Sequence, residues 1–185
     1  MSITLDKRNM SEEEMIKGCL KDDPLAQRAL YDKVGPKMMG VCLRYMVSIE
    51  EAQDVLQDGL IKVFDKLGTY SGMGSFEGWV RRIVVNTALD AIRKNKNLKH
   101  NMQIDDVEYA LKSNDFIFEH LVAEDLLKVL HELPLGYKTV FNLFAIEGYS
   151  HKEIAKKMNI TVSTSKSQFS RAKSMLRKKI TELDK

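Results

Sequence analysis

Few residues in this sequence are arranged for bond-making chemistry. Asp54 and Asp58 stand four apart, which puts two carboxylates on one helical face. Two-metal hydrolysis needs further ligands beside such a pair, and no third one is evident. His100, His120, His131 and His151 are scattered and form no ligand pair at helical spacing. Cys19 and Cys42 fall in apolar helical patterns without metal-ligand spacing, so they read as plain core thiols. The chemistry on offer is instead that of binding. Between residues 152 and 179, Glu153 is the only acid among nine lysines and arginines. Within that run Ser163, Thr164, Lys166, Ser167, Ser170, Arg171, Lys173 and Ser174 lie on the polar side of a helical pattern. Small hydroxyl residues let a helix sit deep in a major groove, while lysine and arginine reach phosphates and guanine edges.

That basic run is one end of a charge asymmetry. The 185-residue chain carries a net charge of only +3, yet residues 104–132 hold eight acids against two lysines. An uneven distribution of this kind points to a nucleic-acid partner at one end. At 44% hydrophobic and 30% charged residues the chain can bury cores and stay soluble, and no apolar stretch approaches a membrane span. The first residues, MSITLDKRNMSEEEM, lack the basic-then-apolar layout of a secretory signal, so the expected compartment is the cytoplasm.

The elements that must position these residues are helices almost throughout. Pro24 opens a helical pattern through Leu25, Ala26, Ala29, Leu30 and Val34. Pro36 is expected to kink or interrupt it before the pattern resumes at Met38. Ser48 and Glu51 form an S-x-x-E capping box ahead of Ala52, Val55, Leu56, Leu60 and Val63. The stretch GTYSGMGS, residues 68–75, must be a loop, and Ser75 is placed to cap the next helix. That helix has Phe76, Trp79, Val80, Ile83, Val84 and Ala88 on its apolar face, where Trp79 reads as core. No strand-period run of useful length appears. Residues 96–117 are polar and weakly periodic, which suggests an interdomain linker. The expected fold is therefore all-α, with two small helical domains at 1–95 and 118–185 joined by a flexible linker.

The second domain ends in two helices joined by a tight bend. Ser150 and Glu153 make another capping box, Asn159 suits a left-handed helix end, and Thr161 can cap the last helix. From pattern alone, a DNA-reading helix and a solvated basic helix on a small core are equally good readings.

Resemblance separates them. EGYSHKEIAKKMNITVSTSKSQFSRAKSMLRK resembles the promoter-reading helix-turn-helix of extracytoplasmic-function sigma factors, the compact branch of the sigma-70 family. EEAQDVLQDGLIKVFDKL is similar to that family's core-polymerase-binding helix, and GSFEGWVRRIVVNTALDAIRK to its minus-ten-reading and melting helix. LHELPLGYKTVFNLFAIEGYS matches the approach to the second DNA reader. The motifs stand in the family's order over nearly the whole chain.

The resemblance implies roles. Asp54, Gln57 and Asp58 would meet the coiled coil of the polymerase's largest subunit. Asn86 would sit near an extruded minus-ten base, whose edge an amide can both donate to and accept from. Arg81, Arg82, Arg93 and Lys94 would hold backbone phosphates. Loop 68–75 corresponds to the segment that selects the flipped base, with Tyr70 and Met73 expected to line a small pocket. Residues 163–174 would read the minus-thirty-five duplex. Two departures stand out there: Ser165 replaces an apolar residue and is expected to loosen packing, and Gln168 replaces an arginine. Glutamine favours adenine where arginine favours guanine, so the promoter sequence does not carry over.

The partners that the resemblance implies are core RNA polymerase and duplex and melted promoter DNA, with an anti-sigma factor as a further candidate. No cofactor, metal or covalent step is required of this chain. Two rivals belong to other classes. A free-standing regulator would bind its duplex tightly alone but leaves the acidic helix and glycine loop unexplained. A metal-dependent nuclease would have to use Asp54 and Asp58.

Overall fold

The computed structural model describes residues 10–101 and 121–183. The chain divides into two compact units, residues 1–107 and 108–185. Every regular element among the described residues is helical, and none of these helices is long and apolar enough to cross a membrane.

The described residues of the first unit form four α-helices, α1 (Glu12–Cys19), α2 (Pro24–Tyr45), α3 (Ile49–Lys66) and α4 (Phe76–Asn101), with a short 3-10 turn at Leu67–Thr69. Local chemistry fixes their starts. At α1, Glu14 N–H donates to Ser11 Oγ at 3.2 Å and Ser11 N–H donates back to the Glu14 carboxylate at 2.9 Å. This reciprocal box satisfies two N-terminal donors, and the Ser11 hydroxyl and amide hold the Glu14 carboxyl below its usual range. Asp23 caps α2 through Leu25 N–H at 3.0 Å, with Pro24 in the first turn. At α3 the expected box is only half closed. Glu51 N–H donates to Ser48 Oγ, but the Glu51 carboxylate accepts from Val47 N–H, one residue further out.

Pro36 neither interrupts α2 nor ends it. The helix continues to Tyr45 with Pro36 exposed and Leu30, Val34, Met38, Val41 and Cys42 buried on its inner side. The proline ring costs one backbone hydrogen bond, while burial of that side against α1, α3 and α4 keeps both halves in one continuous helix. Gly59 lets α3 and α4 approach closely, since a Cβ there would lie 3.1 Å from Val84 Cγ2. Cys42 is fully buried, which pushes its thiol pKa up to about 12, and Cys19 is buried on α1; both are free. They are the inert core thiols that their apolar patterns predict.

Helix α4 runs six residues past position 95, where the linker is expected to begin. The rest of that linker, including its acids between 105 and 117 and the expected start of the second domain at 118, lies outside the described residues.

The second unit contains α5 (Leu121–His131), α6 (Leu135–Phe141), α7 (His151–Met158) and α8 (Val162–Leu183). After Phe141 the chain widens into a π-helical turn over Asn142–Ile146. Leu130, Leu133 and Ala172 form a small buried cluster, flanked by Tyr137, Phe141, Met175 and Leu176, that seats α8 on α5 and α6.

Candidate nucleic-acid interface

Helix α4 presents a narrow polar stripe. Arg82, Asn86 and Arg93 are exposed, and their spacings of four and seven residues put them on one face. Arg81 and Lys94 lie about a third of a turn to either side; Arg81 is half-buried and Lys94 exposed. Arg93 donates to Asp90 on the same helix. Thr87, next to Asn86, is buried and accepts from Lys62 Nζ of α3 at 3.2 Å, which pins this part of α4 to its neighbour.

The loop at the start of α4 differs from its sequence-based picture. Tyr70, Phe76 and Trp79 form an aromatic cluster with ring centroids 5.2–5.9 Å apart. The Tyr70 hydroxyl donates to the Gly74 carbonyl at 2.9 Å, closing the loop on itself. Tyr70 therefore braces the loop instead of lining a pocket with Met73, which projects from the tip at 85% exposure. Gly72 and Gly74, at φ +73° and +86°, flank that tip in a conformation side chains rarely adopt. Phe76 is buried, but Trp79 is only half-buried, so it caps the core rather than filling it. Ser75 does cap α4, accepting from Gly78 N–H at 3.3 Å.

In the second unit the bend forms as its residues dictate. Ser150 and Glu153 close a reciprocal box, Asn159 ends α7 at φ 52° and ψ 50°, and Thr161 accepts from Thr164 N–H at 3.0 Å. Helix α8 then shows an exposed ridge of Ser163, Ser167, Ser170 and Ser174, all within one narrow stripe. Lys166 and Lys173 flank it on one side and Arg171 on the other, all exposed. Thr164 is half-buried, and its hydroxyl joins those of Thr161 and Ser163 in the cap at 2.8 Å. Lys173 extends over the Phe169 ring at 5.1 Å.

The chain matches the sigma-70 region 2 family over residues 30–98 and the sigma-70 region 4 family over residues 123–176. This chain belongs to the sigma-70 family. Its relatives include the ECF RNA polymerase sigma-E factor of Haemophilus influenzae, 28% identical over 94% of this chain and 97% of that protein. The ECF RNA polymerase sigma factor SigW of Bacillus subtilis is 26% identical over 94% of this chain and 99% of its own length. Among solved structures, the sigma factor RpoE of Bartonella quintana, in complex with the anti-sigma factor NepR, has the same fold. It aligns at a TM-score of 0.57 and 20% identity, covering 83% of this chain and 96% of that one.

On α8 of this sigma-70 chain, the two departures named from the sequence, Gln168 and Ser165, have surroundings that spacing did not predict. Gln168 does not stand on the exposed ridge: it is half-buried, and its Oε1 is buried without a hydrogen-bond partner. Ser165, expected to loosen packing beneath α8, has a polar partner there. It is fully buried, and its Oγ lies 2.9 Å from His151 Nδ1. The His151 ring stacks on Phe144 at 4.2 Å and meets Phe169 edge-on at 5.8 Å. Burial, and then the charge of Lys166, lower the pKa of His151.

On α3, Asp54, Gln57 and Asp58 are all exposed on one side. Beside them lies a feature that sequence reasoning missed, an open groove of about 510 Å³ lined by Tyr31, Gln53, Leu56, Gln57, Leu60, Ile61 and Phe64. Tyr31 is 46% and Ile61 52% exposed. The signal was available: Ile61 stands outside the apolar stripe of α3, and an apolar residue on a polar face is informative when others join it. No group of three or more metal-ligating side chains occurs among the described residues.

Proposed function

We propose that this chain is an extracytoplasmic-function sigma factor that directs core RNA polymerase to particular promoters and helps open their minus-ten DNA. The observation that carries this reading is that two regions of the sigma-70 family occur in order in one chain, at 30–98 and 123–176. The relatives named above match along nearly their full lengths. Residues 1–95 are assigned to polymerase binding and minus-ten recognition, residues 118–185 to minus-thirty-five recognition, and residues 96–117 to the connection between them.

Within the first unit, Asp54, Gln57 and Asp58, together with the adjoining groove, are assigned to the polymerase. An acidic rim beside an apolar groove suits a partner that offers both cations and aliphatic side chains. Asn86 and the Met73 tip are assigned to an unpaired minus-ten base, and Arg81, Arg82, Arg93 and Lys94 to phosphates. Tyr70 acts behind the tip as a brace. Extruding a base costs a few kcal/mol, which its capture by the loop and the Asn86 amide helps offset. In the second unit the serine ridge of α8 enters the major groove, with Lys166, Lys173 and Arg171 on its flanks. Bond formation belongs to the polymerase, so the chain is not an enzyme and needs no cofactor. It works where the polymerase works, in the cytoplasm. An anti-sigma factor is a proposed partner, since the structural relative from Bartonella quintana was solved bound to one.

Transcription reconstituted from purified core polymerase, this chain and a genomic promoter library tests the reading. The expected result is a set of transcripts that appear only when the chain is present and share two upstream motifs. Tight duplex binding without polymerase, and no transcripts, would instead favour a free-standing regulator. DNA cleavage dependent on a divalent metal would favour a nuclease.

A further inference from the structure

Arg171 flanks the serine ridge on the side opposite Lys166 and Lys173, and its exposed side chain has a partner within the unit. Its Nη1 donates to the hydroxyl of Tyr137 at 3.0 Å, across 34 positions of sequence. Tyr137 lies in the first turn of α6, half-buried, with its ring packed on the cluster of Leu130, Leu133 and Ala172. Its neighbour Gly136 faces α8 one turn earlier, where a Cβ would come within 3.2 Å of Gln168 Nε2. The first turn of α6 is thus closed against α8 at two successive places, and a rigid ring delivers its one polar atom to the guanidinium.

We propose that Tyr137 is a positioning residue for promoter reading, which holds the Arg171 guanidinium at the edge of the α8 ridge so that it meets one base or phosphate in a fixed direction. The proposal rests on the assignment of Arg171 to duplex DNA. A free arginine side chain samples many rotamers and loses that freedom on binding. A guanidinium has five N–H donors, and the bond to Tyr137 uses one, leaving the others for a bidentate contact. The tyrosine ring itself does not touch DNA in this arrangement; its hydroxyl acts through Arg171.

Tyr137→Phe keeps the ring and removes only the hydroxyl. The probe is a promoter-length duplex enriched from a random-sequence library by wild-type holoenzyme, with a shuffled duplex as control. Tyr137→Phe should weaken holoenzyme binding to the enriched duplex roughly three- to tenfold, the range of one lost hydrogen bond. Arg171→Ala should weaken it more, and the double variant should be no weaker than Arg171→Ala alone. If Arg171→Ala loses affinity while Tyr137→Phe matches wild type, the positioning role is overturned and the DNA assignment stands. If Arg171→Ala loses nothing, the DNA assignment itself fails and the proposal with it. A second enrichment, done with Tyr137→Phe holoenzyme, should show relaxed preference at the base position that Arg171→Ala also relaxes. That readout is a ratio within one pool, so it holds even if the variant lowers the folded fraction. Unchanged preference there overturns the proposal.

Discussion

Helices α4 and α8 are of similar length, 26 and 22 residues, and each turns one apolar face to its unit and one polar face outward, yet their exposed faces are built differently. The α4 stripe is a single amide, Asn86, among arginines, and it begins beside a loop braced by Tyr70, Phe76 and Trp79. The α8 ridge has four serines in line with cations on both flanks, and only the tight turn capped by Thr161 stands beside it. A wall next to a lone amide suits one base taken out of its stack, while a smooth ridge of small residues suits a whole duplex groove. On the proposed assignment, the difference teaches how two helices in one chain, both basic and amphipathic, would be fitted to two states of the same nucleic acid by what stands beside them.

The comparison is sharpest if the first unit carries a third, non-DNA face on α3. Asp54→Lys with Asp58→Lys should abolish binding to core polymerase, because it places two cations where the proposed partner presents its own. Exposed charge changes cost little stability, so the helix content should be unchanged. Retained affinity for core in a pull-down or fluorescence titration would remove α3 from the docking site and leave the first unit with only a nucleic-acid face.

On the duplex side, Arg171→Ala is expected to cost about 1–3 kcal/mol if the guanidinium reads a base bidentately. If it holds a phosphate instead, the loss should be similar for all sequences and the salt dependence should drop by about one unit of slope. Binding titrations at three salt concentrations separate these outcomes. No loss in any of them would make the α8 ridge a solvated face, and the contrast with α4 would lose one of its sides.

Much of the scaffold under this contrast is legible in the sequence because its determinants are local. The box at Ser150 and Glu153, the left-handed Asn159 and the cap at Thr161 each involve residues at most three apart, so types and spacing suffice to place the bend. The continuous α2 is not legible in that way. Pro36 argues locally for a break, and only the burial of Val34, Met38 and Val41 against three other helices overrides it. The site is legible in its exposed part, since helical spacing alone puts Ser163, Ser167, Ser170 and Ser174 together. Contacts between distant positions are hidden: Arg171 with Tyr137, His151 with Ser165, and the groove that Tyr31 shares with Ile61. Gln168 is the instructive failure. Its type fits base reading, but its place on α8 turns it toward Gly136.

Strand opening gives a smaller effect that only the α4 face should feel. Asn86→Ala is expected to slow open-complex formation roughly five- to tenfold, the worth of one or two modest hydrogen bonds. It should barely change binding to the isolated minus-thirty-five duplex. A template mismatched across the minus-ten element removes part of the unpairing cost, so it should partly rescue the variant. Permanganate footprinting of unpaired thymines follows the rate directly. Opening of a fully paired promoter at the wild-type rate would show that Asn86 does not act on the unpaired base.

The smallest expected effect lies inside the second unit and tests whether α8 is held by chemistry that α4 lacks. Where α4 is backed by Val80, Val84 and Ala88, α8 is backed in part by the polar pair Ser165 and His151. The pKa of His151 is lowered from 6.5, first by burial and then by Lys166. Between that lowered value and the ordinary one, the unfolded chain binds a proton that the folded unit refuses. Stability of the second unit should therefore be full above about pH 6.5 and fall as the medium is acidified through the range below it, with no further loss from this group once the folded pKa is passed. Trp79, the chain's one tryptophan, belongs to the first unit. A loss of helix signal at mildly acidic pH that Trp79 fluorescence does not follow would locate the change in the second unit. His151→Phe should flatten this dependence while keeping the stack on Phe144. Ser165→Ala should cost about 1 kcal/mol at neutral pH, because Nδ1 loses its partner. If the His151→Phe variant keeps the wild-type pH dependence, the imidazole is not its source, and the pair with Ser165 seats α8 without a titrating step.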